Sequence, residues 1–305
     1  MQDFDLSQYY RSFIDQIKAS SVQNRLPHGI LLNNIDHLEL DTLLHEICCV
    51  LVKKEELGDL TLTPGIFCLK GEHGQIKIDQ VKDMLEEIYL SSYHSSAKVV
   101  IISPLEALNI SAANALLKSL EEPPENTYFL MTSNHLQWIM PTLRSRVQVF
   151  DIVLEHEQKE DYLAKKYQLS YKDVEKALQV SRNELAVVDR IKTDNDFWQL
   201  RKALIRVLTG ELSPLGLSID LSAHYKDVLY WLTSFVIDAY YLRLGVSSLA
   251  HQDQELFIQN FSRRYNHLEI YQYYQRLLKL KAYEGKHFNV NKQLAVESLL
   301  VELCV

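Results

Sequence analysis

Arg144 and Arg146 lie two residues apart in the stretch "MPTLRSRVQVF" (140–150), on a short turn that follows a proline and leads into an alternating run. A guanidinium is planar, always charged and able to donate two parallel hydrogen bonds, so arginines shown on a turn are suited to gripping a phosphate. The cysteines offer less chemistry. Cys48 and Cys49 are adjacent in the apolar stretch "HEICCVLV", Cys68 lies further on and Cys304 is at the tail. No C-x-x-C pair exists, so the four read as small buried hydrophobes and not as zinc ligands.

The elements that must position these arginines alternate in kind up to about residue 152. "HGILL" (28–32), "KVVIIS" (98–103) and "TYFLMTS" (127–133) are apolar runs of strand length, and "VQVFDI" (147–152) alternates as a half-buried strand does. Between them, "IDQVKDMLEEIYLSS" carries Ile78, Val81, Leu85 and Ile88 at helical spacing, with Asp79 as its expected N-cap. "NISAANALLKSLEEPP" is expected to begin at Ser111 and is stopped by Pro123 and Pro124. Strands separated by helices imply a parallel sheet covered on both faces, with ligands bound beyond the carboxyl ends of the strands.

After residue 152 the strand runs stop. Three short helical patterns occupy 153–195, and longer ones follow in 196–305, including "DFWQLRKALIRVL", "AHYKDVLYWLTSFVIDAYYLRL", "LEIYQYYQRLLKLKAY" and "NKQLAVESLLVEL". Their tyrosines and leucines recur every three or four residues, which gives each a wide apolar face for a core or for partner helices. The expected division is an α/β domain at 1–152, a small helical domain at 153–195 and a helical C-terminal domain at 196–305.

With 305 residues, 47% of them hydrophobic and 24% charged, the chain reads as an ordinary globular protein. A net charge of −8 and a pI near 5.8 disfavour a protein that holds nucleic acid through a broad basic face. Arg263, Arg264, Arg276, Lys279 and Lys281, with tyrosines nearby, are the best local basic scatter, and on helices they read as a solvated face. No apolar run approaches the roughly 18 residues of a membrane span. The start "MQDFDLSQYYRSF" lacks the basic end and apolar core of a signal peptide, so a cytoplasmic address is expected.

The run "NISAANALLKSLEEPPENTYFLMTSNHLQWIMPTLRSRVQVF" (109–150) closely resembles the clamp-loader branch of the AAA+ ATPases, whose members carry N-A-L-L-K-x-L-E-E-P-P followed by a Ser-Arg-Cys turn. "IKIDQVKDMLEEIYLSSYHSSAKVVII" (76–102) is similar to the corresponding helix and strand, and "NVNKQLAVESLLVEL" (289–303) to the final helix of one member. The resemblance implies a RecA-like parallel sheet, a helical lid and a C-terminal helical collar. Without it, Ala112, Asn114 and Ala115 are small residues allowing close helix packing, and Glu121–Glu122 is a solvated helix end.

A working ATPase of this branch wraps phosphates with a glycine-rich loop after the first strand, reaches them with a lysine and holds Mg²⁺ with Ser or Thr. Here "NNIDHLELDTLLHEI" (33–47) has neither glycine nor lysine, and Asp36, Glu39 and Asp41 would repel a triphosphate. After "KVVII" the metal-binding acid is replaced by Ser103, and Glu106 alone reads as a helix-start acid. Some relatives carry a four-cysteine zinc module between the first helix and second strand; this chain has no such set, and no metal or cofactor is expected.

The resemblance gives the Ser-Arg-Cys arginine a role in a neighbouring subunit's ATP site. Ser145 and Arg146 match that turn and Val147 replaces the cysteine. Arg146 is thus expected to act as an arginine finger in trans with Ser145 positioning it, while Arg144 divides evenly between such a role and tying down its own loop. The implied partners are gamma/tau motor and delta subunits, with the sliding clamp and primer–template DNA in the assembled complex. The expected protein is a non-ATPase component of DNA polymerase III. The alternatives are a gamma/tau-type motor, a delta-type clamp opener and a stand-alone nucleic-acid-binding module.

Overall fold

The computed structural model describes residues 7–23, 25–34, 40–69, 75–90, 97–214, 221–247, 249–285 and 291–304. Two compact units divide the chain, Met1–Gln168 and Leu169–Val305.

In the first unit, α1 (Ser7–Val22), β1 (Gly29–Asn33), α2 (Leu40–Val52), β2 (Ile66–Leu69), α3 (Ile78–Leu90), β3 (Lys98–Ile102), α4 (Ile110–Glu121), β4 (Thr127–Ser133), α5 (Pro141–Arg144), β5 (Gln148–Asp151) and α6 (His156–Tyr167) follow in order. The five strands form one parallel sheet in the order β2-β3-β4-β1-β5. Every residue of β1 and β3 is buried, as expected of parallel strands covered on both faces. Among the described residues β5 pairs only with β1, and it exposes Gln148 and Asp151, an edge-strand pattern in place of the expected alternation. The core gathers Leu31, Val81, Ile88, Val100, Leu116, Phe129 and Met131 from sheet and helices.

Polar side chains fix the helix ends. Lys98, though buried, donates from Nζ to the carbonyl of Ile88 at 2.6 Å, satisfying an otherwise orphaned group in the last turn of α3. At α4 the cap is Asn109, not Ser111: its side chain accepts from the Ala112 amide at 2.8 Å. The Asn109 amide in turn donates to Ile76 at 3.2 Å, a long-range bond that anchors the entry to the helix. Asp79 likewise lies in the first turn of α3 and is not its cap; the Gln80 side chain accepts from the Lys77 amide at 2.9 Å.

Three elements of this unit lay outside the sequence expectations, the helices α1 and α2 and the short edge strand β2. β2 starts just after Gly65, whose φ of +86° lies in the left-handed region open to glycine.

The second unit contains α7 (Tyr171–Val180), α8 (Leu185–Thr193), α9 (Asn195–Leu208), α10 (Tyr225–Arg243), α11 (Glu255–Arg264), α12 (His267–Gly285) and α13 (Lys292–Cys304). α10 is apolar around most of its circumference, with Trp231, Leu232, Phe235 and Val236 wholly buried. A helix of that kind belongs at the centre of a bundle, and α9, α11, α12 and α13 pack around it. α11 was not among the helices expected from sequence.

Beside α10 lies a buried polar network. Arg182 donates to Ser234 Oγ at 2.8 Å and to Asp238 at 2.6 Å, and Asp238 accepts from the His251 amide at 2.8 Å. Arg201, only 2% exposed, reaches both oxygens of Asp253 at 2.9 and 2.7 Å and His251 Nδ1 at 3.1 Å. Buried cations are tolerated where each is paired in this way.

Candidate functional site

Arg146 leaves α5, a single turn begun by Pro141, which needs no amide partner at that position. The amides of Ser145 and Arg146 donate to Pro141 and Leu143 at 3.0 Å each, closing the turn. Gly29 at the start of β1 allows the close approach of the next residues. A Cβ there would lie 3.1 Å from the Arg146 carbonyl oxygen and 3.1 Å from Val147 Cγ1. His28 donates from Nε2 to the carbonyl of Leu120 at 2.8 Å, holding the end of α4 beside the same strand.

The Arg146 guanidinium is held by its own unit. Nε donates to Glu121 Oε1 at 2.7 Å and Nη2 donates to the same oxygen. Nη1 donates to the Thr142 carbonyl at 2.6 Å and meets Ser145 Oγ at 3.1 Å, while Ser145 Oγ donates to the Thr142 carbonyl at 3.0 Å. The ion pair stays open to water, with the arginine and glutamate side chains 30% and 49% exposed. Glu121 is therefore the ion-pair partner of Arg146 as well as a partly solvated helix end. Arg144 is exposed, and its side chain forms no hydrogen bond or ion pair among the described residues.

The position of this turn decides what it can reach. Arg146 precedes β5, beside Gly29 at the amino end of β1, so it sits at the amino edge of the parallel sheet. Ligands of such sheets bind at the carboxyl edge, one strand length of about 16 Å away.

At that carboxyl edge stand Asn33, Ser103, Glu106 and Ser133. Glu106 lies in a short 3-10 turn (Leu105–Ala107). Its Oε1 accepts from Ser133 Oγ at 2.5 Å and from the amides of Asn134 and His135 at 2.9 and 2.8 Å. Thr132 donates to Ser103 Oγ at 2.8 Å. Glu106 is thus the helix-start acid expected from sequence, and it also ties the end of β3 to the loop after β4. Asp36 and Glu39 lie outside the described residues, whereas Asp41 falls in the first turn of α2.

Cys48 is wholly buried, and burial followed by its cysteine neighbours pushes the thiol up to about 12, so it is inert. Among the described residues no group of His, Cys, Asp or Glu could hold a metal ion. The basic scatter is partly committed to the fold. Arg276 pairs with Glu302 and donates to Ser298 at 2.6 Å. Lys281 lies over the Tyr230 ring at 5.6 Å, and burial lowers its pKa. Among the described residues no helix is long and apolar enough to cross a membrane.

The strand order defines an α/β domain built on a five-stranded parallel sheet, and its motif run at 109–150 resembles the clamp-loader branch of the AAA+ proteins. A family model described as "DNA polymerase III, delta subunit" matches residues 10–156, and one described as "DNA polymerase III, delta subunit, C terminal" matches 195–304. The chain is similar to the DNA polymerase III subunit delta' of Yersinia pestis, 28% identical over 83% of this chain and 81% of that one. It is similar also to the DNA polymerase III subunit delta' of Escherichia coli K12, 25% identical over 80% and 79% of the two chains. A DNA polymerase III subunit gamma, from Buchnera aphidicola of Acyrthosiphon pisum, matches at 32% identity over 36% of this chain and 30% of that one. This chain belongs to the delta-prime family of DNA polymerase III clamp-loader subunits.

Proposed function

We propose that this chain is a non-motor subunit of a cytoplasmic clamp-loader ring and supplies Arg146 in trans to the ATP site of a neighbouring gamma/tau subunit. The observation that carries this reading is the position of Arg146 at the amino edge of its own sheet, away from the crevice where its own domain would hold a nucleotide. A guanidinium there serves a ligand belonging to another molecule. Ser145, at 3.1 Å from Nη1, positions the finger. The missing glycines and lysine at 33–47, and the engagement of Glu106 by three donors, support a chain that does not hydrolyse ATP itself.

In this reading residues 1–152 pack against the motor, 153–195 form a lid domain, and 196–305 join the helical collar of the ring. ATP binding by the motors orders the assembly to open the sliding clamp and admit primer–template DNA. Hydrolysis aided by Arg146 then releases the clamp. An arginine finger stabilises the charge of the transferred phosphoryl group and accelerates hydrolysis by about 10³–10⁵-fold, equivalent to about 4–7 kcal/mol of barrier.

The test is reconstitution with motor and delta subunits, comparing wild type with Arg146→Ala. We expect normal assembly and reduced clamp- and DNA-stimulated ATP turnover. Unchanged turnover would remove the finger assignment. A nucleotide titration of the lone chain separates the motor alternative, since micromolar ATP affinity would favour it.

A further inference from the structure

We propose that Glu121 is a latch that holds Arg146 retracted and competes with the neighbour's phosphate for the same edge of the guanidinium. The proposal rests on the assignment of Arg146 as a finger. Arginine offers five N–H donors, and the Nε/Nη2 edge is one that grips a phosphate through two parallel bonds. In this structure both nitrogens of that edge point to Glu121 Oε1. Nη1 is occupied separately by the Thr142 carbonyl and Ser145 Oγ, both on the turn that carries the arginine. Those bonds can act as a fulcrum while the opposite edge swings free. Full engagement of an incoming phosphate by the Nε/Nη2 edge therefore requires Glu121 to let go.

Two further features fit a releasable latch. Glu121 is the last residue of α4, where the helix dipole disfavours a carboxylate, so the arginine compensates a charge placed at the unfavourable end. The pair is also water-exposed on both sides, which keeps it weak enough to exchange for a multiply charged phosphate. A buried pair would hold the finger permanently.

The experiment uses the full reconstituted complex and compares wild type, Glu121→Gln, Arg146→Ala and the double variant at subsaturating ATP. Gln keeps the size of the side chain and removes the charge. Its expected effect is a rise in stimulated turnover of about two- to five-fold, the span set by an exposed ion pair. The double variant should fall to the level of Arg146→Ala. Turnover that is unchanged or reduced in Glu121→Gln overturns the latch, and a reduction would make Glu121 a residue that holds the finger in its working pose. A rise that survives in the double variant also overturns it, because the effect would not pass through Arg146. If Arg146→Ala itself leaves turnover unchanged, the finger fails and the latch with it. A drop in Arg146→Ala without a rise in Glu121→Gln removes the latch alone.

Discussion

Acid should destabilise the C-terminal unit through His251. This residue is wholly buried, 4.8 Å from the Phe235 ring and 5.8 Å from that of Trp231. A guanidinium only donates, so His251 Nδ1, 3.1 Å from Arg201 Nη2, must be the bare acceptor. The proton then sits on Nε2, which donates to Ser234 Oγ at 2.8 Å. A second proton would place a third cation beside Arg201 and Arg182, with Asp238 and Asp253 already engaged by those arginines. Burial first, then Arg201 and Arg182, push the His251 pKa from 6.5 down to about 2. Because the folded value is depressed, the unfolded chain binds the proton first as pH falls. The stabilisation is complete above pH 6.5 and is lost progressively below it, by up to about 1.4 kcal/mol per pH unit. From pH 8 to pH 5 the loss comes to about 2 kcal/mol. Urea unfolding followed by tryptophan fluorescence measures it, since Trp198 and Trp231 both lie in this unit. The comparison is His251→Gln, which does not titrate, so its loss over the same interval should be smaller by about 2 kcal/mol. Equal losses in the two proteins would refute the reasoning.

Two further outcomes concern the first unit. Gly29→Ala should lower stability by about 1 kcal/mol, because its Cβ must displace the Arg146–Val147 backbone or the Val147 side chain. Thermal melting checks the first effect, and reduced turnover in the reconstituted complex would show that the Arg146 turn has moved. Asn109→Ala should cost about 1 kcal/mol in urea unfolding through loss of the α4 cap, whereas Ser111→Ala should change little.

The buried strands were legible because their sequences are continuous apolar runs. β1, β3 and β4 fall on "HGILL", "KVVIIS" and "TYFLMTS" to within a residue at either end. β2 was not legible: "IFCL" is four residues at a sheet edge, too short for periodicity to separate it from a loop. The start of α4 was misplaced because Asn109 and Ser111 are both capable caps two residues apart. The choice is made by the bond from the Asn109 amide to Ile76, which spans more than thirty residues. The arginine turn itself stood out in the sequence, but its ion pair with Glu121 did not, since no local spacing links residues 121 and 146. The polar network around His251 escaped for the same reason, as its members come from the turn after α7, from α9, from α10 and from the segment before α11.

Glu106 braces the loop after β4 from a distance of nearly thirty residues in sequence. Its Oε1 is saturated by a hydroxyl and two backbone amides, and the buried Oε2 has no partner among the described residues. A carboxylate so engaged is a strut, and removing it would take away an acceptor shared by the Ser133 hydroxyl and the amides of Asn134 and His135. Any change that freed Glu106 for other work would consequently disturb the turn after β4. The loop at 133–135 would first have to find another support, so position 106 limits what its neighbours at the end of β3 and after β4 can become.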